Sequence, residues 1–86
     1  MMVRIPTPLR SYTDGCAQVE AEGLTLSELL EDLDRRHPGI RFRVVDEQGR
    51  LRQHVRIFVN RAMEHGLDDP IEPTDEVVVM QALSGG

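Results

Sequence analysis

A chain of 86 residues has room for one domain with a single thin core, and too little for a deep internal active-site cavity. The core must be aliphatic, because only 3% of residues are aromatic, and no stretch approaches the ~20 apolar residues of a membrane helix. The lone Cys16 excludes an internal disulfide framework, and residues 1–6 carry no apolar signal-peptide core, so a cytoplasmic protein is expected.

The net charge of -5 is unevenly spread. Residues 1–34 hold seven acids and two arginines, and residues 35–61 hold eight arginines against Asp46 and Glu47. Residues 62–86 hold six acids and no base, and all ten basic residues of the chain are Arg. An acidic C-terminal end speaks against nucleic acid or an anionic membrane as partner and suits a basic protein surface.

In chain order, Val3 and Ile5 alternate with Arg4 and predict a first strand. Pro6-Thr7-Pro8 ends it or confines it to an edge, because proline cannot donate to a central ladder. Tyr12-Thr13-Asp14-Gly15 is turn chemistry. Ala17, Val19 and Ala21 then alternate with Gln18 and Glu20 as a second strand. Leu26, Leu29, Leu30 and Leu33 fall at i, i+3, i+4 and i+7, the spacing of one buried helical stripe. Thr25 with Glu28 forms a capping box, and Leu24 with Leu29 is placed for a hydrophobic staple. Acids early and Arg35, Arg36 and His37 late complement the helix dipole, and Pro38-Gly39 stops the helix.

The segment from Ile40 to His54 supports two readings. Ile40, Phe42 and Val44 alternate as in a strand, and Asp46-Glu47-Gln48-Gly49 then reads as a hairpin loop or as part of a bulged loop. Val55, Ile57 and Val59 alternate with Arg56 and Phe58 as a further strand. Residues 76–81 contain the run Val77, Val78, Val79, Met80, which suits a strand covered on both faces. Strand, strand, helix, then two or more strands predict an α+β fold of the β-grasp type. It has a mixed sheet of four to five strands on one main helix. Residues 1–81 form the domain, and 82–86 project beyond the sheet as a flexible tail.

Taken together, these segments resemble the ubiquitin-like small sulfur-carrier family, which includes the molybdopterin synthase small subunit and the thiamin-pathway carrier. The resemblance is strongest to the branch serving cysteine and secondary-metabolite sulfur transfer. It is carried by Ile5-Pro6-Thr7-Pro8-Leu9-Arg10, the run from Leu24 to Pro38-Gly39, Val55-Arg56-Ile57-Phe58-Val59-Asn60, and Asp75-Glu76-Val77 through Gly85-Gly86. Two positions depart from the family pattern: Thr74 stands where Gly usually precedes Asp75, and Gln81 stands where many members have proline.

The resemblance implies a protein cosubstrate rather than an enzyme. The carboxylate of Gly86 would be adenylated by an E1-like enzyme and converted to a thiocarboxylate. That thiocarboxylate would donate sulfur in the site of a biosynthetic enzyme. No cofactor would be bound, since ATP belongs to the adenylating partner. Gly85 would give access to narrow channels, and Leu83 and Ser84 would contact the partners. Phe58, Asp75 and Glu76 are expected to add docking contacts on the domain, the acids meeting basic residues. A rhodanese and a metalloprotease that trims the tail are further implied partners. Cysteine, methionine or thio-metabolite synthesis is favoured over molybdopterin and thiamin synthesis.

Two other readings compete. A ubiquitin-like modifier would conjugate its tail to lysines of other proteins. Having no Lys, this chain cannot form lysine-linked chains with itself. A purely docking, regulatory subunit would tolerate loss of Gly85-Gly86. The remaining features carry less. Cys16 lacks a nearby base and reads as a small strand-end residue. His37, His54 and His65 lack metal-ligand spacing, and no metal is expected. Arg41, Arg43, Arg50, Arg52 and Arg56 with Phe42 and Phe58 lack an RNA-binding motif, and read as a solvated face or a docking surface for an acidic partner. Asp68, Asp69, Glu72, Asp75 and Glu76 do not fit an EF-hand loop.

Overall fold

In the computed structural model, which describes residues 1–60 and 66–81, the main helix α1 spans Leu26–Arg36. Its buried stripe is Leu26, Leu29, Leu30 and Leu33, joined by Asp32. Thr25 caps it as the sequence predicts: its hydroxyl accepts the Glu28 N–H at 3.2 Å. The Glu28 carboxylate reaches one residue further than a capping box does, accepting from Leu24 N at 3.3 Å. The expected staple is absent, because Leu24 is 72% exposed. A loop takes over its role in fixing the helix entry. Leu26 N and Ser27 N donate to the carbonyls of Asp69 and Leu67, which satisfies two otherwise orphaned donors of the first turn.

Four strands form one sheet in the order β2-β1-β4-β3. β1 (Met2–Arg4) pairs antiparallel with β2 (Gln18–Glu20) and parallel with β4 (Val77–Gln81), which pairs antiparallel with β3 (Val55–Val59). β1 is therefore interior. It avoids the proline penalty by ending at Arg4, before Pro6. The chain then makes a 3-10 segment over Thr7–Thr13, where the prolines and turn residues predict an interrupted strand and a turn. Asp14 and Gly15 follow with φ of 54° and 84°, which confirms the turn there.

A second correction concerns Ile40–Val44, which is a short helix, α2, rather than a strand. Ile40 and Val44 are buried one turn apart, and Phe42 points outward at 55% exposure. Asp46-Glu47-Gln48-Gly49 does turn the chain. The Asp46 carboxylate accepts the N–H of Gln48 at 2.9 Å and of Arg50 at 3.0 Å, and Val45 bridges Leu51. The core lies between α1 and the inner sheet face, where Val3, Ile5, Val19, Val55, Ile57, Val77 and Val79 meet the helix leucines.

Two features of this packing yield predictions. Gly23 sits so close to α1 that a Cβ there would meet Leu29 N, with Glu28 C at 2.8 Å and Leu29 Cα at 2.9 Å. These are backbone atoms inside a helix turn, so none of the three can yield. Gly23→Ala is expected to cost about 1–3 kcal/mol by overpacking. That is a fall of roughly 4–8 °C in Tm per kcal/mol for a domain of this size. An unchanged melting temperature would refute the close approach.

Asp32 is the buried carboxylate of the core rim. It accepts from Glu22 N at 2.9 Å, Arg35 Nη2 at 2.6 Å and Arg36 Nε at 2.9 Å. The Glu22 backbone N–H, followed by the two guanidinium groups, holds its pKa below the ordinary Asp value despite burial. A depressed folded-state pKa stabilises the fold fully above the unfolded value of about 3.9, and that contribution is lost as pH falls through the lower folded value. Asp32→Asn is thus expected to be less stable than the parent at pH 7, with the gap closing below about pH 4. Denaturant titrations of both proteins across pH would show this, and a pH-independent gap would contradict it.

Candidate functional site

Alternation along each strand sends one set of side chains inward and leaves the other on an open sheet face. The outward set is Met2, Arg4, Gln18, Glu20, Arg56, Phe58, Val78 and Met80. Register then fixes their neighbours. Val78 lies opposite Phe58 on one side and Arg4 on the other, and Met80 lies opposite Arg56. Directly opposed side chains sit about 5 Å apart, so Phe58, Val78 and Met80 form one apolar strip flanked by two arginines. Phe58 and Val78 are half-buried, and Met80 is 51% exposed. The expectation that the last strand is covered on both faces is corrected here. Its inner residues Val77 and Val79 are buried, but no element packs over Val78 and Met80 among the described residues.

This strip runs toward the end of the domain. β1 pairs with β4 only at Val77 and Val78, whereas β3 pairs along all of β4. Past Arg4 the chain swings away through Pro6 and leaves a groove of about 710 Å³ beside residues 79–81. Arg4, Pro6, Pro8, Arg10, Met80 and Gln81 are among its walls, and Arg10 is fixed there by donating from Nε to Ile5 O at 3.0 Å. β4 ends at Gln81, where the chain passes into residues 82–86.

Of the residues singled out from sequence, Leu83, Ser84, Gly85 and Gly86 lie outside the described residues, as does His65. Phe58 stands in the middle of the open apolar strip. Asp75 and Glu76 precede β4, so the length of the strand, roughly 17 Å, separates them from Gln81. The Asp75 carboxylate is engaged within the fold, accepting from Asn60 Nδ2 at 2.7 Å and Glu72 N at 2.8 Å. Asn60 Oδ1 accepts Glu76 N at 2.8 Å, which closes a clasp between the exit of β3 and the entry of β4. Glu76 keeps an exposed side chain. Asp69 similarly accepts Gly66 N at 3.0 Å within its loop. Cys16 is free and exposed, and His37 caps α1 by donating its N–H to Leu33 O.

Sequence reasoning misses Val78, Met80 and Arg4 as surface candidates, whereas it does place Arg56 with Phe58 on a solvated or docking face. The period-2 alternation of β3 was the available signal. Paired in antiparallel register with 77–81, it assigns Val78 and Met80 to the same outward face as Arg56 and Phe58. Among the described residues no group of three or more His, Cys, Asp or Glu side chains could hold a metal. No helix among them is long and apolar enough to cross a membrane. Among the described residues the open face offers binding surface.

Fold and site together define a ubiquitin-like β-grasp domain whose strand β4 is followed in the sequence by Ala82-Leu83-Ser84-Gly85-Gly86. A family model, the ThiS family, matches residues 3–86, and the chain belongs to that family of ubiquitin-like sulfur carriers. It is 37% identical, over 89 aligned positions, to the sulfur carrier protein CysO of Mycobacterium tuberculosis and of Mycobacterium bovis. Each alignment covers 98% of this chain and 96% of the relative. Among solved structures, the Amycolatopsis orientalis BexX/CysO complex contains a chain with a TM-score of 0.90 at 35% identity, covering 99% of this chain and 98% of that one. Mycobacterium tuberculosis CysO gives 0.88 at 36% identity, covering 95% and 98%. SAMP1 from Haloferax volcanii gives 0.80 at 25% identity, covering 100% and 98%.

Proposed function

We propose that this chain is a cytoplasmic sulfur carrier whose Gly86 carboxyl is activated, thiolated and then spent as a sulfur donor. A terminal carboxyl has a pKa of about 3.3–3.7 and is a carboxylate at neutral pH. It is a poor electrophile until its oxygen is made a leaving group. An E1-like partner joins it to the α-phosphate of ATP and releases pyrophosphate. A sulfide-level nucleophile then displaces AMP and leaves a thiocarboxylate. A biosynthetic enzyme takes the sulfur and returns the carboxylate. The two partners supply ATP and the catalytic groups, so the chain itself serves as cosubstrate. Cysteine, methionine or thio-metabolite synthesis is the destination this reading favours.

One observation carries the reading: β4 ends at Gln81 beside an open apolar strip, in a chain matched by the ThiS family through Gly86. Gly85 and Gly86 present no side chain to a narrow channel. The strip of Phe58, Val78 and Met80 is the docking surface assigned to the adenylating partner, with Glu76 and the tail residues Leu83 and Ser84 as further contacts. Asp75 serves chiefly as the clasp that fixes the start of β4. Exchange of labelled pyrophosphate into ATP by the adenylating enzyme of the same genome tests this reading. It should depend on the carrier, and carrier-independent exchange alone would count against it.

The likeness to SAMP1 supports a second reading as a protein modifier. It requires conjugates between Gly86 and lysines of other proteins, which mass spectrometry of tagged-carrier adducts would reveal.

A further inference from the structure

The arginine-rich segment is divided by the fold. Arg41 is half-buried, and its backbone N–H is donated to Asp34 Oδ1 at 3.1 Å. Arg56 belongs to the open sheet face. Arg43 and Arg52 instead come together with His54 around a hollow whose remaining wall is Gln81. Val55 pairs with Gln81, so His54 stands at the level where β4 gives way to the tail.

Arg52 is pre-set in this cluster. Its Nε donates to Phe42 O at 2.8 Å, and its guanidinium lies 4.9 Å from the centroid of the Phe42 ring. That explains an exposed phenylalanine in a chain with only two: it is the shelf on which Arg52 rests. A guanidinium already held loses less freedom on docking. Among the described residues no carboxylate is within ion-pair distance of Arg43, Arg52 or His54, in contrast to Arg35 and Arg36, which share Asp32. The nearby Asp46 carboxylate feels Arg52 at longer range, but its hydrogen bonds go to Gln48 and Arg50 N–H groups.

An unpaired basic cluster in a chain of net charge -5 is a local exception, and its position gives it a use. An enzyme that draws the tail into a channel must close the channel mouth on the residues around Gln81. We propose that Arg43, Arg52 and His54 form a basic collar that docks a carboxylate-bearing rim at the mouth of the adenylating partner's channel. This inference rests on the carrier reading. A nucleic-acid occupant is disfavoured because the surplus of acids elsewhere on the chain repels a polyanion. The collar sets orientation and encounter rate, the usual contribution of rim charges.

The test is steady-state adenylation of the full chain by its partner, as a function of salt. Arg43→Glu with Arg52→Glu is expected to raise the KM for the carrier at least about tenfold at low salt, with kcat unchanged. The difference should shrink near 1 M salt, where charges are screened within about 3 Å. Arg43→Lys with Arg52→Lys keeps the charges and should stay within about threefold of the parent. Arg52 touches Phe42, so thermal unfolding checks each variant. Exposed Arg43→Glu alone carries the claim if the double variant fails to fold. An unchanged, salt-insensitive KM for Arg43→Glu overturns the collar, as does an equal loss in the lysine variant. Adenylation of the parent with no effect of these substitutions refutes the collar alone. No adenylation of the parent removes the carrier reading and the collar with it.

Discussion

Deleting Gly86 alone is expected to abolish thiocarboxylate formation, although the shortened chain still ends in a glycine carboxylate. The new carboxylate has the same chemistry and nearly the same acidity. It is, however, about 3.3 Å short of the old position in an extended tail. In the proposed complex the domain would dock through the sheet, and β4 would set where the tail begins. A misplacement of about 1 Å can cost roughly 100-fold when a reaction depends on near-attack geometry. A deficit of one residue should therefore reduce adenylation by well over that factor, with no change in the melting temperature. Adding Gly back after Gly85 should restore activity. A purely docking subunit predicts the opposite: full function without Gly85 and Gly86.

Met80→Asp is the second large effect. Met80 is half-exposed on the open face and lies opposite Arg56. In the free protein the new carboxylate stays solvated beside a guanidinium, and stability should move by no more than about 0.5 kcal/mol. In the complex the same group would be pressed into an apolar contact. Arg56 offsets part of the cost of burying it, but desolvating the pair can exceed its Coulombic gain, and a rise of at least about 10-fold in KM for the adenylating partner is expected. Phe58→Ala should weaken docking by the same route. It should also destabilise the domain, because Phe58 is half-buried against Val78. The pair of variants thus separates docking from folding: Met80→Asp loses the first and keeps the second. Normal adenylation by Met80→Asp would remove the open face from the interface.

How much of this was legible in the sequence varies with the length of each signal. Eleven residues of α1 present three turns of leucines and a Thr25 cap, and no strand pattern fits them. The alternation of β3 was equally clear. Five residues from Ile40 to Val44 are too few to separate the two periods, since Ile40 and Val44 match a strand at i, i+4 as well as a helix turn. The Val77 to Met80 run suggested two covered faces because composition cannot say whether anything lies above Val78. The apolar strip is hidden in the sequence for that reason, even though Phe58 is visible within it. The Asn60–Asp75 clasp could not be read at all, because it joins residues 15 apart through side chains. The tail reading at 82–86 rests on resemblance to the family, since two terminal glycines by themselves are common, and it lies outside the described residues.

The most direct test of the account is the intact mass of the chain after incubation with ATP, a sulfide source and the adenylating enzyme from the same genome. The carrier reading predicts a gain equal to the sulfur-for-oxygen difference, located on Gly86 and absent when Gly86 is deleted. An unchanged mass, with conjugates to lysines of other proteins accumulating instead, would contradict it.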